Sequence, residues 1–423
     1  MPHQIAFTAV ATVKPESLDA LRSTLREMAA DPAGNRLIPF HKLNGVHFAR
    51  FFLLEPTTDV DGRPIAGQLV FMADWDAPLE QRIQELAEVG TEGLSRLFSS
   101  CEGYADGGGE PGAAIQYLRR HAVSNAAVYV NTIGLSASQV IDEGRLRDAL
   151  EDYLDQDPDL RSAGPGAVRR ALVDRVASTA ELSWAAQPAD PPALAWKIRE
   201  LAHLLLVPLI GVLLLPVIVV ALPIWLVVLR LHEHADVAVD SRPDPARVSE
   251  LAALEDHGPV NQFTAAGFIK TGWFRSLTAR LVLFLISYGV RHIFNRANLA
   301  GVKTIHFARW TFIDGGRRVI FASNYDGSLE SYMDDFIDKV AWGLNAVFSN
   351  GQGYPATRWL LFGGARNETA FKNYLRAHQI PTQVWYASSS QLTALNIANN
   401  RQLRRGLRGA MSDEAASAWL RRL

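Results

Sequence analysis

Apolar side chains are spread unevenly along this chain, and their extreme is a run at 201–229, LAHLLLVPLIGVLLLPVIVVALPIWLVVL. It holds no Asp, Glu, Lys or Arg, and His203 is its only titratable side chain. It exceeds the roughly 18 apolar residues that mark a membrane-spanning candidate. As one straight helix it would be about 43 Å long at 1.5 Å per residue, more than the roughly 30 Å hydrocarbon core; two crossings would need about 40 residues. Pro208, Pro216 and Pro223 each remove a helix hydrogen bond and favour kinks. Trp196, Lys197 and Arg199 precede the run, and Trp225 and Arg230 close it, residue types that favour the headgroup zone. The pattern predicts a bent, tilted span or a re-entrant hairpin, with basic residues at both ends that fit two cytoplasmic ends. A second apolar stretch, 281–289, is too short to span and reads as an interfacial or a buried helix.

Outside these stretches, period-two alternation predicts strands and 3.6-residue periodicity predicts helices. Strands are expected at 5–12, 45–54, 66–73 and 126–132, with helices at 15–29, 78–98 and around Tyr117. The same order recurs later: strands at 262–269, 304–313, 318–323 and 382–387, helices at 274–294, 328–348 and around Phe371.

The recurrence extends to residues. Val46-His47-Phe48-Ala49-Arg50-Phe51 matches Ile305-His306-Phe307-Ala308-Arg309-Trp310. Asp74-Trp75-Asp76 matches Asn324-Tyr325-Asp326, and Glu102-Gly103-Tyr104 matches Gln352-Gly353-Tyr354. Tyr117-Leu118-Arg119-Arg120-His121 matches Tyr374-Leu375-Arg376-Ala377-His378, and Val128-Tyr129 matches Trp385-Tyr386. Five matches in one order imply a duplicated unit. Each copy reads βαββαβ, the ferredoxin-like arrangement. The expected division is a first repeat at 1–150, a linker carrying the apolar run at 151–260, a second repeat at 261–410 and a tail at 411–423. The linker, with one helix at 167–180, is rich in proline.

Composition narrows the function. A net charge of -2 over 423 residues argues against a nucleic-acid partner. The single cysteine, Cys101, excludes an intrachain disulfide and a CxxC metal site. The N-terminal residues lack a basic segment followed by an apolar core, so no secretory signal is expected. The glycines Gly107-Gly108-Gly109 have no following Lys-Ser or Lys-Thr and read as a connector.

Tandem ferredoxin-like units with facing sheets resemble the dimeric α/β-barrel superfamily, which includes haem-binding dye-decolorising peroxidases and chlorite dismutases. The fold expected is therefore α+β: two duplicated units forming a pseudo-dimeric α/β barrel, with an inserted membrane-associated helical segment. The peroxidases share a Gly-x-x-Asp-Gly motif, and the nearest match here is Ser323-Asn324-Tyr325-Asp326-Gly327, without the first glycine. The resemblance implies haem, held by His306 or His378, with Asp326 and Arg309 as catalytic groups. The corresponding activity is a membrane-associated, peroxidase-like oxidoreductase acting on a lipophilic substrate from the bilayer. The alternative is a non-catalytic membrane-bound scaffold that holds a lipid or a partner. Homo-oligomerisation through the apolar helices is expected in either case.

Each candidate also has a structural reading. His47 and His306 suit sheet histidines satisfied by a local hydrogen bond. Strand alternation puts His306 and Arg309 on opposite faces unless a bulge intervenes. Asp76 and Asp326 suit N-caps of the helices that follow them. His121 and His378 suit the negative ends of short helices. His232, His234 and Asp236 read as a solvated exit from the membrane rather than a metal site.

Overall fold

In the computed structural model, residues 3–104, 109–188, 193–236, 242–295 and 297–423 are described; Gly107 and Gly108 of the glycine connector lie outside them. Eight strands form two four-stranded antiparallel sheets. The first half contributes β1 (Gln4–Thr12), β2 (Val46–Leu54), β3 (Gln68–Asp76) and β4 (Asn125–Val130). The second contributes β5 (Val260–Phe268), β6 (Ile305–Ile313), β7 (Arg318–Asp326) and β8 (Val384–Ala387). The orders are β1-β3-β2-β8 and β4-β6-β7-β5. The last strand of each half thus lies in the other half's sheet, which alternation cannot reveal because it reports a strand's faces and not its neighbours.

The expected closed barrel is not what the strand pairing gives. The sheets are open, and isolated bridges at Ala9–Ala122 and Ala265–Gln379 link each edge strand to the segment leading into β4 or β8. The sheets nevertheless pack face to face. Phe52, Leu54, Val70 and Met72 of one meet Ile313, Ile320 and Ala322 of the other, and Phe48 meets Phe307.

Helices cover the outer faces. In the first half these are α1 (Leu18–Ala29), α2 (Leu79–Val89), α3 (Thr91–Ser99) and α4 (Pro111–Arg120). Two helices follow, α5 (Ala137–Gln156) and α6 (Pro165–Ser178). The apolar run falls across α7 (Leu194–Leu213) and α8 (Leu215–Ala235), separated at Leu214 just before Pro216. In the second half α9 (Trp273–His292), α10 (Leu329–Phe348) and α11 (Glu368–His378) cover the sheet. The chain ends with α12 (Ala394–Gly406) and α13 (Asp413–Leu420).

The linker and tail differ from expectation. α5, α6, α12 and α13 share a core of Leu146, Leu150, Leu172, Leu403 and Trp419. Gly406 permits it, because a Cβ there would meet the Trp419 ring at 2.1 Å. Buried Arg169 donates to the Gly406 and Gly409 carbonyls and ties α6 to the C-terminus.

α8 and α9 are both long and apolar enough to cross a membrane. α9 is longer than the short apolar stretch anticipated and lies partly in the core, through Phe274, Leu283 and Val290. The α7–α8 pair is anchored to α9 at its ends. Glu200 pairs with Arg291, His203 Nδ1 lies 2.7 Å from His292 Nε2, and Tyr288 donates to the Leu204 carbonyl. At the other end Trp225 donates to Thr278 and His232 stacks on Phe274. The helical path from His203 to His232 is about 43 Å, whereas Phe274 to His292 on α9 is about 27 Å. The longer path must therefore bow outward as an arch. Leu205, Leu209, Leu213, Val217, Val220 and Ile224 along it are exposed.

Candidate functional site

Two regions concentrate unusual chemistry: a polar layer between the sheets and an apolar cavity behind the second sheet.

The polar layer is built twice. Arg50 on β2 donates to the Phe263 carbonyl (3.1 Å), Thr264 Oγ1 (2.8 Å), the Ser323 carbonyl (3.0 Å) and Asn324 Oδ1 (2.5 Å). Arg309 on β6 donates to the Phe7 carbonyl (2.6 Å), Thr8 Oγ1 (3.4 Å) and the Asp74 carboxylate. The partners occupy matching places, except that Asp74 in one sheet is matched by Asn324 in the other. Both arginines are buried. Burial, reinforced by the Arg309 charge, pushes Arg50 down to about 9, so it stays cationic at neutral pH. Among the charged groups of this layer, one carboxylate faces two guanidinium ions.

His306 Nε2 lies 2.6 Å from Asp326 Oδ1, and His47 Nε2 lies 3.1 Å from Asp76 Oδ1. The other carboxylate oxygens accept backbone N–H groups, Asp326 from Ala394 at the start of α12 and Asp76 from Ala137 at the start of α5. The aspartates therefore supply acceptors to the first turns of these helices, beside their own N-caps Ser136 and Thr393. The helices that directly follow are preceded by Ser328 and Pro78 instead, which corrects the capping read from sequence proximity. A register shift between Ile305 and Phe307 lets His306 reach Asp326 on the side that also holds Arg309. The bulge departs from simple alternation. Asp326 and His306 are thus paired, while Arg309 is committed to the opposite sheet. His378 stands apart at the end of α11, where its Nδ1 lies 2.8 Å from the Tyr374 carbonyl. Burial holds this imidazole below the usual histidine range.

These residues do not fit a haem. The space beside His47, Phe48, His306 and Phe307 amounts to about 10 Å³. The void at His378 is about 40 Å³. Both are far below the roughly 300–1,000 Å³ of cofactor and ligand pockets. Both Asp326 oxygens are engaged in holding His306 and the start of α12.

Metal-like groupings resolve similarly. His232 stacks on Phe274, and Asp236 pairs with Lys270 and Arg275, both at 2.7 Å, while His234 is exposed as a solvated exit requires. Glu330, Asp334 and Glu368 converge, with the Lys372 ammonium paired to all three.

The cavity lies on the outer face of the second sheet. Its volume is about 530 Å³, between Phe263, Trp310 and Phe321 of the sheet and helices α9 and α10, with Trp225 and Leu226 of the arch at its edge. Among the described residues, no charged side chain lines it. Leu285, Ile293, Trp342 and Leu361 belong both to its wall and to the exposed surface, so the cavity opens there, beside the apolar faces of α8 and α9. Part of the rim is a loop in which Trp359 (φ 57°) and Leu360 (φ 59°) adopt the left-handed conformation, costly for residues with a Cβ. Glu233, buried at the end of α8, holds it: its carboxylate accepts from the Trp359 and Leu360 N–H groups, each at 2.9 Å, and from Thr357. The arch and the rim are thus joined.

Sequence reasoning missed Arg50, Asp74, Glu233 and the cavity. Arg50 was legible in principle, since it matches Arg309 within the repeated His-Phe-Ala-Arg. The cavity had no such signal, because an apolar wall residue and an apolar core residue look alike. No protein-family model, curated protein or solved structure matches the chain.

Proposed function

We propose that this chain is a membrane-associated binding protein that draws a lipid from one leaflet into the cavity behind its second sheet. The observation that carries this reading is the adjacency of a 530 Å³ cavity, lined among the described residues by apolar and uncharged side chains, to a helical arch whose side chains are apolar and exposed. Contiguous exposed apolar surface of this kind marks a membrane or protein contact. Because the two sheets pack on one another, both halves lie on one side of any bilayer the arch enters. Each arm of the arch beyond its anchors is about 15 Å long, roughly half the hydrocarbon core. The arch therefore dips into one leaflet and returns. Lys197, Arg199 and Arg230 at its ends suit a cytoplasmic headgroup zone. The matched Arg50 and Arg309 contacts and the bridges at both sheet edges support a duplicated, barrel-like ancestry related to the dimeric α/β barrels. The peroxidase-like alternative draws no comparable support, for want of space at His306 and His378.

The test is co-sedimentation with phosphatidylcholine vesicles, followed by mass spectrometry of lipid retained after detergent extraction. Intact protein should sediment and retain lipid. A variant lacking residues 205–224, joined by a short polar linker, should stay in the supernatant. Gly289→Leu fills the cavity edge; an added Cβ there meets Phe294 at an ordinary 3.7 Å. It should sediment normally and retain no lipid. Equal lipid retention by the two full-length proteins would defeat the cavity reading, and an intact protein that never sediments would defeat the membrane reading.

A further inference from the structure

Resting on the membrane reading of the arch and not on the cavity, we infer a second site: a groove at the foot of the arch that holds the phosphate of an anionic phospholipid through the Arg280 guanidinium. The groove, of about 750 Å³, runs between α9, His203 on the arch and the turn 314–316 that follows β6. Arg280 is exposed, so its charge is open to a ligand. The guanidinium is held in place by neutral groups. It lies over the Phe312 ring, 4.9 Å from the centroid, and so close to Gly316 that a Cβ there would meet Nη2 at 2.0 Å. Its polar contact is to the Gly315 carbonyl at 3.5 Å, and among the described residues no carboxylate is paired with it. Asp314, the acid on the groove wall, is already engaged: one oxygen accepts from Gln68 at 2.8 Å and the other pairs with Arg318.

The groove also lies at the right depth. Arg199 and Glu200 precede His203, whereas Leu204, Leu205 and Leu206 after it are exposed. This foot is therefore where a polar flank meets the apolar arch, which is the headgroup zone. α9 joins the two feet of the arch, through His292 at one end and Phe274 at the other, so Arg280 on it shares that depth. A guanidinium fork matches phosphate oxygens bidentately, and Ser124 and Ser287 on the wall add hydroxyl donors. Phe284 beside them, itself exposed, suits the upper part of an acyl chain. A zwitterionic headgroup would bring an ammonium as well, and Asp314 is not free to pair with it. The groove therefore favours a phospholipid of net negative charge.

The experiment uses full-length protein on phosphatidylcholine vesicles containing a trace of photoreactive lipid, either phosphatidylglycerol or phosphatidylcholine, with the same diazirine near the glycerol end of one acyl chain. Labelled peptides are mapped by mass spectrometry. Phosphatidylglycerol should label the groove segments 280–288 and 312–316 about tenfold more than phosphatidylcholine does. Arg280→Gln should remove that excess and leave the label on 205–224 unchanged. Equal labelling of the groove by the two lipids, or labelling unmoved by Arg280→Gln, would overturn the site, while label on 205–224 would still support the arch. Radiolabelled orthophosphate is titrated onto detergent-solubilised protein in parallel. If it binds as tightly as phosphatidylglycerol and is lost in Arg280→Gln, the occupant is a free anion and the lipid assignment fails. Absence of label on 205–224 from either lipid would remove the membrane reading, and the groove site with it.

Discussion

The two halves use the same elements in the same order, yet one is solid and the other hollow. Behind the first sheet, Leu21, Leu25, Met28, Leu94 and Leu97 are fully buried, and the void near Phe71 and Tyr117 is about 10 Å³. Behind the second sheet the void at the matching place, beside Phe321, Tyr374 and His378, is about 40 Å³, and a further cavity of about 530 Å³ lies between the sheet and helices α9 and α10. Part of the cause is the loop after α1. Leu37, Ile38 and Phe40 fold back into the first core, and Gly93 lies so close to the Leu37 carbonyl that a Cβ would meet it at 2.4 Å. The stretch after α9 contributes Leu299 and Val302 instead. The covering helices differ as well: α1 exposes Arg26 and Glu27, whereas α9 exposes Leu277, Leu281, Phe284 and Leu285. One half has completed its core with its own chain, and the other has left both a space and an apolar exterior.

Where the halves differ in charge, the expected effect is largest. Asp74 faces Arg309, whereas Asn324 faces Arg50. Asp74→Asn would leave two buried guanidinium groups with no carboxylate, and breaking a buried pair in this way costs about 3–5 kcal/mol. Urea unfolding should show that loss. Asn324→Asp supplies Arg50 with a counter-charge and should cost far less or stabilise. Equal losses from the two substitutions would mean that the asymmetry is without consequence.

Packing gives the next effect. Leu25→Ala in the solid half should cost about 2–5 kcal/mol. Leu344→Ala on the cavity wall should cost about half as much, because a side chain beside a void has fewer dispersion contacts to lose. Thermal unfolding of the pair measures the contrast, and matching losses would indicate that the cavity collapses in solution.

The contrast also explains what could be read in advance. Strand and helix positions in both halves followed from periodicity, and the repeat exposed the equivalence of His47 with His306 and Arg50 with Arg309. Three things were hidden. The exchange of β4 and β8 depends on pairing partners, which alternation does not encode. The bonds of Asp76 and Asp326 to the first turns of α5 and α12 link residues 61 and 68 positions apart, beyond any local motif. The division of the apolar run at Leu214 was foreshadowed by Pro216, but the anchors that bend it lie on α9. α9 itself read as two things at once, a repeat helix and a separate short apolar stretch, because it serves the core on one face and is exposed on the other.

Where the halves agree in geometry, substitutions should agree too. Asp76→Ala and Asp326→Ala each remove the acceptor of a buried N–H in a helix's first turn and a histidine's partner. Each should cost about 1–2 kcal/mol on the scale of lost N-caps. Chemical denaturation that separates the two by much more than that would show that the repeated His–Asp contacts are not equivalent.

The smallest expected effect is a pH dependence carried by His378 in the hollow half. Burial lowers the His378 imidazole below its ordinary value of 6.5, while its Nδ1 contact to the Tyr374 carbonyl acts in the opposite direction. The unfolded chain then binds a proton more readily than the folded one, so stability falls as pH drops below about 6.5 and through the folded value. Above that range the term vanishes, since both states are neutral. The packing fits this direction: Gly267 lies against the ring, where a Cβ would meet His378 Cδ2 at 2.9 Å, and among the described residues no carboxylate is bonded to it. Melting temperatures at pH 7.5 and 5.5 should therefore differ more for intact protein than for His378→Gln, which cannot titrate. A variant that loses stability on acidification as steeply as the parent would assign the pH dependence to other groups.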